Sequence, residues 1–310
     1  MYKKVDIIMS VYNPNEKYLI KQLKSLNDQD YPNIKIYIYD DCVTKKTNVE
    51  IFKKYLTKVD FEIIPSEKNN LGYVLAFEKL TKNTTGDYVA FCDQDDIWFS
   101  NKISKSVEVL EKEKTLLVAS EKQIIDENDV ITKEKSREGS NKNYDNWHSF
   151  DDIMKYTTII CYAVGMSMVV DGNFLRSILP FSHNTGHDKW ALICASAEGN
   201  VSFIEEPLVQ YRRHGHNVSG VLVGIESKED YVKQRVEPNV RLLEDIKKKY
   251  PEHKDIKELE KFIYARVTHN IYYLWKYRKL APDVAKFDMV ISLVPRFMFS
   301  FFVKIVRKIG

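Results

Sequence analysis

The sequence predicts an α/β fold, in which a mainly parallel sheet precedes a C-terminal helical extension. Three observations predict it. Short apolar runs alternate with amphipathic segments in the first half of the chain. Clusters of polar residues directly follow several of these runs. After about Gly224, long segments with helical spacing replace the short runs. We therefore expect a catalytic part over residues 1–224 and a helical extension over residues 225–310.

Four strands and three helices are expected to alternate at the start of the chain. The predicted strands are residues 5–11, 34–39, 61–64 and 87–92, and the predicted helices are residues 16–27, 49–56 and 72–81. Alternation of this kind favours right-handed crossovers and parallel pairing. Later strands are expected at residues 166–170 and 201–204, and later helices at residues 230–249 and 254–280.

The composition excludes several classes of protein. Of the 310 residues, 44% are hydrophobic and 29% are charged, which indicates a globular chain. A net charge of +3 argues against a general nucleic-acid-binding protein. The four cysteines form no CxxC pair, so we expect neither a zinc finger nor a disulfide scaffold. Because the start lacks a signal-peptide pattern and no apolar run reaches about 18 residues, a cytoplasmic location without a transmembrane helix is expected.

An acidic cluster follows the fourth predicted strand. Asp93, Asp95 and Asp96 stand at the carboxyl end of that strand, where ligands bind in parallel sheets. Two carboxylates one residue apart can hold Mg²⁺ or Mn²⁺ against a diphosphate. The alternative is a solvated turn that caps a helix beginning near Ser100. Its place at a strand end favours the metal site.

Two other strand ends carry groups suited to a nucleotide. Asp40 and Asp41 end the second predicted strand, and Tyr12 and Asn13 follow the first. A carboxylate there can accept a hydrogen bond from a base or ribose, and an aromatic ring can stack on a base. The alternatives are an Asx turn and a packed tyrosine.

The later part of the chain offers a base and several cations. Asp188 lies at the start of a short predicted helix. It could act as a general base or cap that helix. Arg212, Arg213 and His214 lie together in a predicted loop. The arginines could neutralise a diphosphate, and His214 could bind a metal or a phosphate, unless it is a structural histidine.

Taken together, these segments resemble the family 2 inverting glycosyltransferases of the GT-A fold. The resemblance covers roughly residues 4–220 and includes VDIIMSVYNP, IKIYIYDD, the segment around Asn70 and GDYVAFCDQDDIW. The DQDDIW form, with GHDKW and YRRHGHNVSG, is similar to the branch of rhamnosyltransferases that build bacterial surface polysaccharides. Where the family often has a glycine after the second aspartate pair, this chain has Cys42 and Val43.

The resemblance implies a role for each matching residue. Asp188 would be the catalytic base, and Asp95 would bind Mn²⁺ or Mg²⁺ with support from His214. The remaining candidates would contact the nucleotide sugar: Ser10, Tyr12, Asn13, Asp41, Asn70, Asp93, Arg212 and Arg213. The implied reaction is an inverting, metal-dependent sugar transfer to a hydroxyl of a polyprenyl-diphosphate-linked saccharide. The favoured donor is dTDP-rhamnose, and the alternatives are UDP-galactose, UDP-glucose and UDP-N-acetylhexosamines.

Two other functions stay open from the sequence. A non-catalytic nucleotide-sugar-binding subunit of a polysaccharide assembly complex would need the same donor pocket but no base. A nucleotidyltransferase would need a Gly-rich phosphate loop and an activating lysine near the N-terminus, and the sequence shows neither.

The C-terminal segment predicts contact with a membrane surface. Residues 296–310 contain four basic and no acidic residues. On a helix, the basic residues lie opposite a side rich in phenylalanine and isoleucine, a pattern that suits anionic lipid. The alternatives are a docked terminal helix and a homodimer contact. With the membrane helix, we expect a peripheral protein on the inner face of the plasma membrane.

Overall fold

The computed structural model describes residues 2–138, 153–213 and 224–309, with side chains up to residue 304. Within these residues the chain forms two compact units. Residues 2–138 and 163–213 form the first unit, and residues 153–162 and 224–309 form the second. Residues 153–162 therefore belong with the helical part, although they precede the last strands of the sheet. The assignment of separate functions to residues 1–224 and 225–310 stays a prediction.

The described part of the first unit contains one nine-stranded sheet. Its strands are Val5–Val11 (β1), Ile34–Asp40 (β2), Asp60–Ile64 (β3), Tyr88–Cys92 (β4), Ile97–Trp98 (β5), Leu117–Ile125 (β6), Ile131–Lys133 (β7), Met168–Asp171 (β8) and Val201–Arg212 (β9). Their order is β3-β2-β1-β4-β8-β6-β9-β5, and β7 pairs with β6. The first four strands in this order are parallel, as are β6 and β9, whereas β8, β5 and β7 pair antiparallel.

Helices connect these strands. They are Glu16–Asn27 (α1), Val49–Tyr55 (α2), Tyr73–Asn83 (α3), Lys102–Glu113 (α4), Gly172–Ser177 (α6) and His187–Glu198 (α7), while Ile153–Ile159 (α5) belongs to the second unit. The side chain of Asn15 accepts a hydrogen bond from the N–H of Lys17 and so caps α1. Asn48 caps α2 in the same way. These caps fix where each helix leaves the carboxyl edge of the sheet.

The core of the first unit forms where α1 and α4 cover the parallel strands. Leu19, Leu23 and Leu26 recur on one face of α1 and are fully buried. They join a cluster that includes Ile103 and Leu110 of α4. Burying each such side chain contributes about 1.5–3 kcal/mol. The packed core gives the loops at the strand ends a rigid support.

Strand β9 is longer than the sequence predicts. It extends to Arg212 instead of ending at residue 204. A proline within a strand argues against strand continuation, but Pro207 lies where the pairing of β6 and β9 shifts register. Tyr211 and Arg212 pair with β6 and are not loop residues, so the predicted loop of cations was wrong at these two positions.

The described part of the second unit is helical. Its later helices are Lys228–Tyr231 (α8), Glu237–Lys249 (α9), Ile256–Thr268 (α10), Ile271–Lys276 (α11), Pro282–Leu293 (α12) and Arg296–Ile309 (α13), with one π-helical turn at Val232–Val236. The single helix predicted over residues 254–280 was wrong. His269 ends α10 in the left-handed region with φ 53°, and Asn270 caps α11 by accepting from the N–H of Tyr273.

An apolar cluster and a buried ion pair stabilise the second unit. Phe299 and Val303 of α13 pack in the cluster with Ile225 and Ile291. Nearby, Arg266 Nε donates to Asp288 Oδ2 over 2.7 Å, and the Tyr231 hydroxyl donates to Asp288 Oδ1 over 2.5 Å. Within the described ranges, the structure contains no helix with the length and apolar character needed to cross a bilayer.

Candidate functional site

The loops after β1, β2 and β4 meet at the carboxyl edge of the parallel strands. The N–H of Tyr12 donates to Gln94 Oε1 over 2.8 Å, and Gln94 Nε2 donates to the carbonyl of Tyr12 over 3.3 Å. The N–H of Asp41 donates to the carbonyl of Val11 over 2.9 Å. Gln94, which sequence reasoning missed, therefore fastens the first loop to the acidic loop through a paired amide contact.

Three carboxylates interact electrostatically at this edge. Asp93, Asp95 and Asp188 are each partly exposed to solvent. Burial, then the charges of Asp95 and Asp188, raises the pKa of Asp93 to about 7. Asp93 therefore lies close to both the predicted metal-binding carboxylate and the predicted base. This is the strongest physical link between residues that are almost a hundred positions apart in the sequence.

Asp96 anchors the acidic loop, residues 93–96, to the interior of the fold. It is fully buried, and its Oδ1 accepts a hydrogen bond of 2.9 Å from the N–H of Arg212. Burial, with the charges of Asp93 and Asp95, raises the pKa of Asp96 well above its usual range. The buried carboxyl of Asp96 thus joins the acidic loop to β9 through the N–H of Arg212.

Arg212 differs from the expectation of a contact with diphosphate. Its side chain is 0% exposed. The guanidinium donates from Nε to the carbonyl of Asp95 over 2.8 Å and from Nη1 to the carbonyl of Asp126 over 3.0 Å, and Nη1 pairs with Asp129 over 2.6 Å. As a corrected assignment, Arg212 supports the acidic loop from within the fold, because β9 carries it under that loop.

The other predicted cations are placed differently. Arg213 is exposed just beyond β9, and its N–H donates to the carbonyl of Ile125 over 2.8 Å. Its predicted contact with diphosphate stays a prediction. His214 lies outside the described residues.

Asp188 is the second residue of α7 and is held by backbone groups. Its Oδ2 accepts from the N–H of Gly165 over 3.0 Å, and its Oδ1 accepts from the N–H of Lys189 over 2.7 Å. The helix is capped at Gly186 without a side-chain bond, so Asp188 is not the N-cap residue. The first turn of a helix favours an anionic side chain, and Asp188 stays partly exposed to solvent there.

His187 forms an aromatic support next to Asp188. Its ring is buried and stacks on Phe77 with 3.8 Å between ring centroids, and its edge meets Phe91 at 4.8 Å. Neither ring nitrogen has a hydrogen-bond partner among the described residues. Burial lowers the pKa of His187 to about 4. Sequence reasoning missed this role, because a histidine before an aspartate carries no sign of burial.

Asp41 and Asn70 organise the loop that leads into α3. Asp41 is buried, and its two carboxylate oxygens accept from the N–H groups of Leu71 and Gly72 over 2.6 and 2.8 Å. Asn70 is exposed, and its Oδ1 accepts from the N–H of Val43 over 3.2 Å. The carboxylate predicted to contact a base thus also fixes this loop.

The remaining nucleotide candidates line the end of β1. Ser10 is half-buried and pairs in register with Tyr39. Tyr12 is 53% exposed, and Asn13 turns the chain with φ 43°. An exposed tyrosine at the edge of a sheet offers a free aromatic face to a planar ligand.

The residues present fit a divalent cation shared with a substrate. In the described ranges, no group of three or more His, Cys, Asp or Glu side chains is arranged to hold a metal alone. Mg²⁺ is commonly held by one or two carboxylates together with substrate phosphates. Asp93 and Asp95 supply oxygen ligands of this kind. Burial, and then the charges of Asp95 and Asp188, raise the pKa of Asp93, and a bound cation would offset the repulsion among these charges.

Comparison with known proteins gives the same fold. TarS (residues 1–349) of Staphylococcus aureus in complex with UDP-GlcNAc superposes with a TM-score of 0.59 at 15% identity, over 91% of this chain and 82% of that one. The mannosyltransferase PcManGT of Pyrobaculum calidifontis, in complex with GDP-Man and Mn²⁺, has a TM-score of 0.53 at 14% identity, over 98% and 79%. The prediction of a GT-A α/β fold with C-terminal helices is confirmed.

Sequence comparison shows the family. An uncharacterized glycosyltransferase of Methanocaldococcus jannaschii is 28% identical over 67% of this chain and 70% of its own length. The match covers 70% of the length of the Methanocaldococcus relative, 66% of a relative from Nostoc and 30% of a relative from Rickettsia bellii. The profile of the family named Glycosyl transferase family 2 matches residues 6–172, which include the acidic loop but not Asp188. Since this match exceeds half of the chain, the chain belongs to glycosyl transferase family 2 and is a glycosyltransferase.

Proposed function

We propose that this chain is an inverting glycosyltransferase that moves a sugar from a nucleotide-diphosphate donor to an acceptor hydroxyl with the help of a divalent cation. The observation that carries the proposal is the position of Asp93, whose pKa is raised by both Asp95 and Asp188. A cation ligand and a base must face the same substrate for such a transfer. The effect of the charges of Asp95 and Asp188 on Asp93 supports that arrangement.

Asp188 acts as the general base in this proposal. Its carboxylate removes the proton from the acceptor hydroxyl while that oxygen attacks the anomeric carbon of the donor sugar. The nucleotide diphosphate leaves from the opposite face, so the configuration inverts through a transition state with oxocarbenium character. Asp95, assisted by Asp93, would hold Mn²⁺ or Mg²⁺, which supplies positive charge to the leaving diphosphate. A contribution of His214 to that cation site is part of the proposal.

The donor nucleotide would lie along the ends of β1 and β2. Tyr12 offers an exposed ring to the base, and Ser10 and Asn13 flank it. Asp41 keeps this wall in place through its bonds to Leu71 and Gly72, and a remaining lone pair of the same carboxylate can accept from the base. Asn70 and Arg213 are exposed, and we assign both to contacts with the donor.

For the donor itself, we favour dTDP-rhamnose on the basis of the DQDDIW motif. UDP-hexoses and UDP-N-acetylhexosamines are the alternatives, and TarS, which shares this fold, binds UDP-GlcNAc in its solved complex. The sugar pocket depends on side-chain shape more than on the order of motifs. A donor screen therefore has to include all three classes.

We propose a lipid-linked saccharide on the inner face of the plasma membrane as the acceptor. Support comes from α13, in which Phe297 and Phe301 are 84% and 64% exposed and Arg296 and Lys304 are also exposed. Exposed aromatic and basic side chains on one helix suit the interface of an anionic bilayer. Leu293, just before α13, extends this exposed apolar surface.

The alternative of another class is a non-catalytic nucleotide-sugar-binding subunit. Such a subunit requires the donor pocket but has no catalytic role for Asp188. The charge of Asp188 acts on Asp93. This favours the enzyme, because a further carboxylate near a bound diphosphate only weakens donor binding, whereas a general base has to lie there for the transfer.

A donor screen with the full chain tests the proposal. The release of nucleoside diphosphate from dTDP-rhamnose, UDP-glucose, UDP-galactose and UDP-GlcNAc is measured with Mn²⁺ and with EDTA. We expect one donor to be cleaved, and the rate to fall at least tenfold in EDTA. Asp95→Asn should weaken donor binding in Mn²⁺ about tenfold or more, since it removes an anionic ligand of the cation. Equal donor affinity of Asp95→Asn and the wild type would contradict the assignment.

A further inference from the structure

Tyr73 presents an exposed aromatic ring beside the proposed base. It is the first residue of α3, and 57% of its surface is exposed. Its neighbour Gly72 has φ 78° and donates its N–H to Asp41 over 2.8 Å. The ring meets the buried ring of His187 edge-on, with 6.2 Å between centroids. Tyr73 is therefore held in place on one side and open to solvent on the other.

The ring of Tyr73 and the carboxylate of Asp188 border the same point in space. A Cβ built on Gly186 would lie 2.6 Å from Asp188 Oδ1 and 3.9 Å from Tyr73 Cε2. Partial burial and the charge of Asp188 raise the pKa of the Tyr73 hydroxyl, so it stays a neutral hydrogen-bond donor at neutral pH. A ligand in contact with this ring is within reach of the carboxylate.

Two exposed tyrosines therefore mark two parts of the site, one for the donor and one for the acceptor. Tyr12 is joined to the acidic loop by Gln94 at the end of β1, on the wall proposed for the donor base. Tyr73 adjoins Asp188, which in the proposed reaction takes the proton of the acceptor. An aromatic ring with a polar tip combines an apolar face for ring C–H groups with a hydroxyl for hydrogen bonding. That combination matches a pyranose ring.

We propose that Tyr73 is the platform on which a pyranose ring of the acceptor stacks, so that one of its hydroxyl groups faces Asp188. The inference rests on the proposed function, because it assumes that Asp188 takes the proton from the acceptor hydroxyl. It also narrows the acceptor class: the sugar unit that receives the transfer is a ring and not an open-chain polyol. The edge contact with His187 and the bonds of Asp41 to the preceding loop hold the platform in position.

Binding of simple pyranosides to the full chain tests this inference without any turnover. The probes are the methyl pyranosides of glucose, galactose, rhamnose and N-acetylglucosamine, with ribitol as the open-chain comparison, in the presence of UDP and Mn²⁺. Saturation-transfer NMR should detect the ring C–H protons of at least one pyranoside on the wild type, and no binding of ribitol. Tyr73→Ala should raise the dissociation constant of that pyranoside about fivefold, the value of one aromatic contact.

Three comparisons separate this result from a loss of structure. Tyr73→Phe should lose less affinity for the pyranoside than Tyr73→Ala, because it keeps the ring and removes only the hydroxyl. Tyr272→Ala, which removes a tyrosine of similar exposure in the second unit, should behave as the wild type. Tyr73→Ala should keep wild-type affinity for UDP.

The inference is overturned if the wild type binds no pyranoside, if ribitol binds as well, or if Tyr73→Ala binds as the wild type does. It is also overturned if Tyr73→Ala loses UDP and pyranoside in the same proportion, which would place the ring on the donor side. A chain that binds pyranosides through Tyr73 but cleaves no donor would contradict the proposed function alone.

Discussion

At the residue scale, the orientation of Asp188 depends on two glycines beside it. Gly165 donates its N–H to Oδ2, and a Cβ on Gly165 would lie 3.3 Å from the Cβ of Asp188. Gly186 leaves room for Oδ1, because a Cβ there would come within 2.6 Å of that oxygen. The proposed base thus needs glycine at both of these positions, which no pattern of polar residues could have predicted.

Gly186→Ala should displace the carboxylate of Asp188 and slow the transfer. A misplacement of about 1 Å at a reacting group can cost about 10²-fold in rate, so we expect a loss of this size in kcat with donor affinity unchanged. The measurement is kcat and the donor dissociation constant with the best donor of the screen. Gly199→Ala is the control just beyond the other end of α7, where the added Cβ would come within 2.7 Å of the end of the Leu116 side chain and 4.0 Å of the carbonyl oxygen of Ala195. Full activity of Gly186→Ala would contradict the steric account.

His187 makes the stability of the first unit depend on pH. Its pKa is about 4 in the folded protein, because burial disfavours the charged ring, against about 6.5 when unfolded. Between these values the unfolded chain binds a proton that the folded chain does not, so stability falls as the pH falls from about 6.5 to 4.

Comparison with His187→Phe isolates this effect. The variant keeps an aromatic ring against Phe77 but does not titrate. From pH 7 to pH 4, the free energy of unfolding of the wild type should fall by about 3 kcal/mol more than that of the variant. Urea denaturation at several pH values measures it. Parallel losses in the two proteins would show that His187 titrates normally in the folded state.

At the element scale, the strand ends were predictable and the supporting elements were not. Apolar runs predicted the strands that became β1, β2 and β4, because buried parallel strands form continuous apolar runs. The edge strand β3 was also predicted, although its first four residues alternate between exposed and partly buried. No sequence pattern indicates β5, which has two residues, or the continuation of β9 past Pro207. The burial of Arg212 follows from that continuation. Pairing between distant strands decides such features, and local sequence does not contain it.

Helix α13 shows the same limit within one element. The sequence predicts a basic side and an aromatic side, but α13 packs through Phe299 and Val303 and leaves Phe297 and Phe301 exposed. Which apolar residues face the core depends on the neighbouring helices. Phe297 and Phe301 are therefore the aromatic residues of α13 that could contact a membrane.

A matched pair of variants in α13 separates packing from membrane contact. Phe299→Ala should destabilise the protein by about 3–5 kcal/mol, because it opens a cavity in the core of the second unit. Phe297→Ala should change the free energy of unfolding by no more than about 0.5 kcal/mol and should weaken binding to anionic vesicles. Thermal unfolding and vesicle sedimentation measure the two effects. Unchanged sedimentation of Phe297→Ala would argue against membrane contact through this surface.

At the scale of the whole molecule, charge is unevenly distributed along the chain. The net charge of +3 includes four basic residues and no acidic ones in residues 296–310. The rest of the chain is nearly neutral, and its first unit concentrates carboxylates at the edge of the sheet. Composition alone argues against nucleic acid as a partner class, but only the positions of the charges point to a cation site and to a lipid surface.

The class of reaction was predictable from the sequence, and the substrates were not. The order of strands and acidic clusters identifies the family, because the sheet brings strand ends to one edge whatever the loops contain. In the proposed site, the sugars are selected by loop side chains such as Tyr73 and Asn70. Both contact residues distant in the sequence, since Tyr73 meets His187 and Asn70 accepts from the N–H of Val43.

The central claim is that Asp188 is the base of a sugar transfer at the edge lined by Asp93 and Asp95. It is tested most directly by Asp188→Asn, which keeps the shape of the side chain and removes its charge. Donor binding and turnover are measured on the same preparation in Mn²⁺. We predict wild-type or tighter donor affinity and a loss of turnover of about 10²- to 10⁴-fold, the usual contribution of a general base. Wild-type turnover of Asp188→Asn would contradict the account.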